Sequence, residues 1–186
     1  MRTAVSYGLI ALWILWALPL LLRRAHSRGD RRRAKTAPIA ILGIILQAPA
    51  YPIVWSTRYF LTHPLESWRL VSSLALGIIA LLLIWSALPA LGKQWRMQAG
   101  VYEDHVLVQT GAYRFVRHPI YASMLALLLA TGLVRASLAA CGVATMFMII
   151  GTEIRVRAED RLLAGHFGRE FTEYKERVRA YLPFLR

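Results

Sequence analysis

Five stretches free of Asp, Glu, Lys and Arg constrain this chain more than any other feature. They cover residues 3–22, 36–57, 70–92, 119–134 and 136–152. A helix needs about 20 apolar residues to cross the hydrocarbon core of a bilayer. The first three stretches, of 20, 22 and 23 residues, reach that length. The last two, of 16 and 17, fall short and are parted only by Arg135. They read as a helical hairpin whose outer ends run on into polar sequence. The expected fold is an all-α integral membrane protein with about five transmembrane helices. Pro49, Pro52 and Pro89 mark kinks or ends, which membrane helices tolerate better than soluble ones.

The basic residues orient this arrangement. Of the 23 Lys and Arg, all but Arg2, Arg58, Arg69 and Arg135 fall on one side of it. The densest run is "RRAHSRGDRRRAK", straight after the first stretch. The positive-inside rule then places the N-terminus outside and the C-terminus in the cytoplasm. The first stretch makes a poor signal peptide, because it is long and the basic run after it resists export.

The net charge of +13 would suit nucleic acid in a soluble protein. No aromatic or fold motif supports that partner here. In a chain that is 57% hydrophobic, the charge fits cytoplasmic loops and anionic membrane lipids. A single cysteine, Cys141, excludes an internal disulfide and a cysteine-based zinc site. The histidines at 26, 63, 105, 118 and 166 lack zinc-ligand spacing, so no metal is expected. No internal repeat is evident.

Three polar segments all fall on the expected cytoplasmic face. The first, residues 91–123, holds "EDHVLVQTGAYRFVRHPIYAS". Residues 105–109 read as a short extended piece, followed by a turn at Thr110 and Gly111, where glycine permits a backbone turn or a close approach. The second, "EIRVRAEDRLL", continues the fifth stretch as helix. In the third, Phe167, Phe171, Tyr174 and Val178 recur every three or four residues. That spacing predicts an amphipathic helix with one apolar face.

A hairpin turning near residues 135–137 sets Pro119 opposite about Thr152. His118 and Tyr121 then lie near the helix base that carries Arg155, Glu159 and Asp160. Arg155 and Glu159 are four apart and share a helix face. Such a pair can simply neutralise itself at a helix exit. Taken alone that is the commoner case, and ionisable groups at membrane depth strengthen the case for function.

With these residues in view, the chain resembles the isoprenylcysteine carboxyl methyltransferase family and, more broadly, membrane phospholipid methyltransferases. The resemblance rests on "EDHVLVQTGAYRFVRHPIY" and, after the hairpin, "RVRAEDRLLAGHFGREFTEYKERVRAYLPF". It covers about residues 91–185. It implies an S-adenosyl-L-methionine cofactor bound at the cytoplasmic face beneath the amphipathic C-terminal helix. Gln98, His105, Val106, Leu107, Val108, Tyr113, His118, Pro119, Ile120, Tyr121, Glu159 and Asp160 are the implied cofactor contacts. Arg155 is implied to hold the acceptor carboxylate, and Arg155 with Glu159 forms the implied catalytic pair. Asp160 stands where the family usually has a second Glu, and Ser123 where it often has Gly.

On this reading residues 1–90 carry three transmembrane helices and a basic cytoplasmic loop at 23–35. Residues 91–186 form the methyltransferase core: a cofactor loop at 91–118, the hairpin at 119–152, and a cytoplasmic helix and tail at 153–186. The expected acceptor is a lipophilic small molecule or a prenylated cysteine. A carboxylate is already ionised at neutral pH and needs no general base, and an Arg fork matches it bidentately. A phospholipid amine or small thiol acceptor is the alternative on the same scaffold. An NADPH-dependent sterol-type reductase and a non-catalytic membrane protein are further alternatives. Sequence leaves the oligomeric state open.

Overall fold

The computed structural model describes residues 2–24, 35–57, 59–92, 100–101 and 105–181. Helix α1, Arg2–Arg24, realises the first uncharged stretch. The second is divided. Helix α2 spans Ile39–Gln47 and α3 spans Ala50–Ser56, and the short α4, Tyr59–Thr62, follows beyond the stretch. Proline at 49 has no N–H to donate one turn back, and its ring crowds the preceding turn, so regular helix stops before it and restarts after it. Helix α5, Ser67–Leu91, realises the third stretch. The fourth and fifth form a hairpin of α6, Pro119–Arg135, and α7, Leu138–Phe167. The turn falls where Arg135 interrupts the apolar run, and the Ser137 hydroxyl accepts from the Ala140 N–H to start α7.

Four spans, Arg2–Leu22, Ile39–Thr62, Ser67–Leu91 and Leu138–Phe167, are long and apolar enough to cross a membrane. Helix α6 is apolar but shorter. Large side chains such as Ile14, Leu21, Ile45, Leu74 and Leu82 point outward, which suits lipid as solvent.

Two strand features qualify the all-helical expectation. Strands β1, Lys35–Thr36, and β2, Gly100–Val101, pair antiparallel. Val116 and Arg179 form an isolated parallel bridge.

Buried polar contacts fix how the helices dock. The indole N–H groups of Trp13 and Trp16 on α1 donate to Thr131 and Ser123 on α6, at 3.1 and 3.2 Å. In lipid the apolar surfaces of helices have little reason to associate, and such hydrogen bonds contribute about 0.6–2 kcal/mol each. At the far end of the hairpin, buried Arg69 donates to the Leu133 and Ala136 carbonyls, both at 3.0 Å. Those carbonyls lie at the end of α6, where no helical partner remains for them. Arg2 donates to the Leu61 and His63 carbonyls, and Arg135 covers the Trp55 ring at 4.4 Å. Arg2, Arg69 and Arg135 thus gather at the end of the bundle away from Pro119. Arg58, grouped with them by sequence, lies outside the described residues.

The predicted amphipathic tail is interrupted. Helix α7 ends at Phe167, Gly168 takes φ 55°, and α8 spans Arg169–Arg177. Phe171 and Tyr174 bury their rings, and Val178 is already extended. The three-to-four spacing therefore runs from the end of α7 across the Gly168 turn and α8 to an extended residue.

Candidate active site at the base of the hairpin

The site is assembled where α6 begins. A 3₁₀ turn, Gly111–Arg114, leads into it. Gly111 has φ 60°, and a Cβ there would stand 3.0 Å from the Ser86 hydroxyl and 3.1 Å from the Ser86 carbonyl. Glycine therefore serves both the turn and its close seat on α5. Arg114 stays exposed as an ordinary basic flank, whereas Arg117 and His118 are buried.

The chain before Pro119 pairs with the segment after α8. The Arg117 N–H donates to the Arg179 carbonyl and the His118 N–H to the Ala180 carbonyl, both at 2.7 Å. Ala180 and Tyr181 pack against Tyr121 and Val156. The Tyr174 hydroxyl donates to the Tyr113 carbonyl at 2.6 Å. The Arg117 guanidinium donates to the Val178 and Lys175 carbonyls. Backbone and side chains together hold α8 and its following segment across the base of the hairpin.

Consecutive carboxylates on α7 have different surroundings. Asp160 exposes 5% of its surface and would be costly there as an isolated charge. It accepts from His118 Nε2 at 2.9 Å and Arg117 Nη2 at 3.2 Å, with Lys175 Nζ 3.7 Å away. Glu159 is more open, its side chain 24% exposed. It accepts from the Tyr121 hydroxyl and faces His118 Nδ1 at 3.3 Å. Both imidazole nitrogens therefore face carboxylates, an arrangement only the doubly protonated ring satisfies. Burial alone would lower the His118 pKa. The hydrogen bonds and charges of Asp160 and Glu159 outweigh it and raise the value. Burial pushes the Tyr113 phenol far up, and the Glu159 charge adds to that.

Arg155 lies one turn before Glu159. Its guanidinium stacks on the Tyr121 ring, 4.6 Å from the centroid, and Nη1 donates to Gln47 Oε1 at 3.1 Å. Tyr121 thus offers its hydroxyl to the carboxylate and its face to the cation.

Tyr113, His118, Tyr121, Arg155, Glu159 and Asp160 are brought together at this base. Pro119 opens α6, while Ile120 packs toward Ile84, Leu88 and Tyr113. Residues 105–109 run outside any helix or strand. Within them His105 rests on Phe167, with ring centroids 6.0 Å apart, and Val108 packs beside Ala112 and Tyr113. Val106 is exposed and Leu107 partly buried. Gln98 lies outside the described residues. Sequence reasoning missed Gln47, Tyr181, the hydroxyl contact of Tyr174 and the buried half of Arg117's role. Gln47 carried one signal, an amide inside an otherwise apolar span.

The sequence profile of the isoprenylcysteine carboxyl methyltransferase family matches residues 73–165, which hold the hairpin and most of these side chains. The cobalt-zinc-cadmium resistance protein CzcN of Cupriavidus metallidurans is 30% identical over 159 residues, 74% of this chain and 73% of that one. The chain belongs to the isoprenylcysteine carboxyl methyltransferase family. The protein-S-isoprenylcysteine O-methyltransferase of Saccharomyces cerevisiae is 32% identical over 82 residues, 44% of this chain and 34% of its own. A probable protein-S-isoprenylcysteine O-methyltransferase of Oryza sativa is 33% identical over 85 residues, 45% and 44% of the two chains. The matches to these two enzymes span less than half of either. The structure of a eukaryotic intramembrane Ras methyltransferase superposes with a TM-score of 0.65 at 17% identity. It covers 97% of this chain and 64% of that one, so the fold is shared across nearly all of this chain. As a member of this family with several membrane-length apolar helices, the protein is a multi-pass integral membrane protein.

Proposed function

We propose that the protein is an S-adenosyl-L-methionine-dependent methyltransferase that esterifies the carboxylate of a lipophilic acceptor, a prenylated cysteine being the acceptor named in its relatives. The observation that carries this reading is the placement of Arg155 and Glu159 around one ring. A guanidinium lies on the face of Tyr121 while a partly open carboxylate takes its hydroxyl. One wall therefore offers an anion for a cationic cofactor and a cation for an anionic acceptor.

The residues fit such a cofactor. When bound, S-adenosyl-L-methionine supplies an activated methyl group on a sulfonium. Glu159 can pair its ammonium or accept from a ribose hydroxyl. Residues 105–109, outside regular structure, can present backbone N–H and C=O groups to an adenine edge. Tyr113, His118 and Tyr121 line the same wall. Asp160 differs, since its oxygens already meet His118, Arg117 and Lys175. Its part in this reading is to hold the wall rather than to reach a ligand.

The acceptor carboxylate is ionised at neutral pH, so no side chain has to remove a proton. Arg155, itself buried, binds and orients it. Alignment and desolvation supply most of the acceleration. An amine acceptor would instead set its cationic form against Arg155. The basic segments support a cytoplasmic position for this face of the bundle.

The test is labelled-methyl transfer by the purified protein to prenylated cysteine derivatives, with cofactor binding followed by calorimetry. Glu159→Ala is expected to lose cofactor affinity. Arg155→Ala is expected to keep it and lose transfer. Folded wild type that binds no cofactor would overturn the reading.

A further inference from the structure

We infer that Arg117 is a positioning residue: it clips α8 and the segment after it over the base of the hairpin, and so sets how fast the cofactor leaves. This rests on the reading of that base as the cofactor site.

Arg117 is a buried cation that the proposed chemistry does not use. It lies before α6, yet its guanidinium reaches two other helices. Nη2 donates to Asp160 Oδ2 on α7 at 3.2 Å. Nη1 donates to the Lys175 carbonyl at 3.2 Å and to the Val178 carbonyl. The Lys175 carbonyl belongs to the last turn of α8, where helical partners run out. A basic side chain can cap such groups. One planar fork therefore joins a carboxylate of α7 to the open end of α8.

The same carboxylate continues the contacts into the site. Asp160 Oδ1 meets His118 Nε2 at 2.9 Å, and His118 Nδ1 faces Glu159 at 3.3 Å. Lys175 Nζ also approaches Asp160, at 3.7 Å, but its side chain is 51% exposed and such a contact is worth little. Arg117 thus links the covering segment, through buried contacts, to the wall proposed to hold the cofactor.

The clip is separable from the docking of the segment. The Arg117 and His118 N–H groups reach the Arg179 and Ala180 carbonyls through main chain alone. Phe171, Ala180 and Tyr181 are held by burial. The Tyr174 hydroxyl on the Tyr113 carbonyl is a further anchor. A change of side chain at 117 leaves all of these in place and removes only the guanidinium. Lysine keeps the charge but not the fork, so it meets Asp160 or the carbonyls rather than both.

The experiment compares wild type and Arg117→Lys in the full chain in detergent. Amide hydrogen exchange is followed without cofactor. Labelled S-adenosyl-L-methionine is then chased from the protein with an unlabelled excess. Exchange in residues 169–181 is expected to quicken in Arg117→Lys while α5 keeps its protection. Cofactor dissociation is expected to quicken about tenfold, with association within about twofold, because loss of a contact acts mostly on the off-rate. Acceptor KM at saturating cofactor should stay within about twofold. Equal exchange in the two proteins overturns the inference. Exchange that quickens in α5 as well also overturns it, because a merely structural residue behaves so. A local quickening that leaves cofactor dissociation unchanged overturns the claim of retention. If Arg117→Lys does not fold, Arg117→Gln, whose amide can still donate to a carbonyl, decides by the same split. Wild type that binds no S-adenosyl-L-methionine overturns the cofactor reading and this inference with it, whereas failure of the exchange readout leaves that reading standing.

Discussion

His118 Nε2 lies 2.9 Å from Asp160 Oδ1, and this contact ties the residue before α6 to the lower part of α7. The other ring nitrogen faces Glu159. One imidazole therefore joins the carboxylate that holds the wall to the carboxylate proposed to meet the ligand.

Stability should fall as pH rises through the His118 titration. Asp160, Glu159, Arg117 and Tyr121 are the charged or polar groups around this ring, and Lys175 reaches it through Asp160. The folded value lies above the ordinary 6.5. A raised folded value means its stabilisation is complete below the unfolded value and is lost above the folded one. Thermal unfolding at constant salt should show a lower Tm on the alkaline side of 6.5. His118→Gln should flatten that step, and a Tm that climbs through this range in wild type would contradict it.

Asp160→Asn should destabilise the protein more than Glu159→Gln does. Removing the buried charge leaves Arg117 and His118 facing a neutral amide, and breaking a buried ion pair costs about 3–5 kcal/mol. Denaturation in detergent compares the two variants directly. Limited proteolysis should cut after Lys175 or Arg177 sooner in Asp160→Asn.

Tyr121 separates the two halves of the proposed site. Tyr121→Phe keeps the ring under Arg155 and loses the hydroxyl to Glu159. It should weaken cofactor binding about tenfold, since a hydrogen bond to a charged group is worth about 1.5–3 kcal/mol, and leave acceptor KM nearly unchanged. Tyr121→Leu should weaken both. Equal effects of the two substitutions on acceptor KM would remove the stacking argument.

Ser123 is satisfied on both sides: its hydroxyl donates to the Ile120 carbonyl at 2.7 Å and accepts from the Trp16 indole. Ser123→Ala should lower stability by about 1 kcal/mol, and Ser123→Gly by roughly 0.5–1 kcal/mol more, since glycine is the poorer helix former. A second change, Trp16→Phe, should add little in the Ser123→Ala background. A double-mutant cycle by thermal unfolding measures that coupling. Ser123 thus ties α6 to α1 rather than crowding the helix.

The hairpin was legible because Arg135 is the sole charge between two apolar runs. Its register was legible only approximately. Equal counting from the turn sets Pro119 beside Thr152, yet His118 meets Asp160, about two helical turns further along. Side chains on a helix lean toward its N-terminus. On α6 they therefore lean away from the turn, and on α7 toward it, so polar tips meet between positions that counting leaves offset. The break at Gly168 falls at the Phe-Gly pair, which reads as a turn in the sequence even though the aromatic spacing continues across it. The β1–β2 pair is two residues long on each side and leaves no periodicity to read. Gln47 was passed over because an uncharged amide does not interrupt an apolar run, although burying one demands partners.

The pairing of residues 117 and 118 with 179 and 180 uses only main-chain atoms. Such bonds are indifferent to the identity of the side chains that flank them. Exposed Arg179 can be exchanged for most residues without loosening that seam, whereas buried Ala180 and Tyr181 beside it are held by their packing as well. What the seam cannot absorb is proline at 117 or 118, which has no N–H to give. The segment is held by a bond pattern that sequence comparison alone would undervalue.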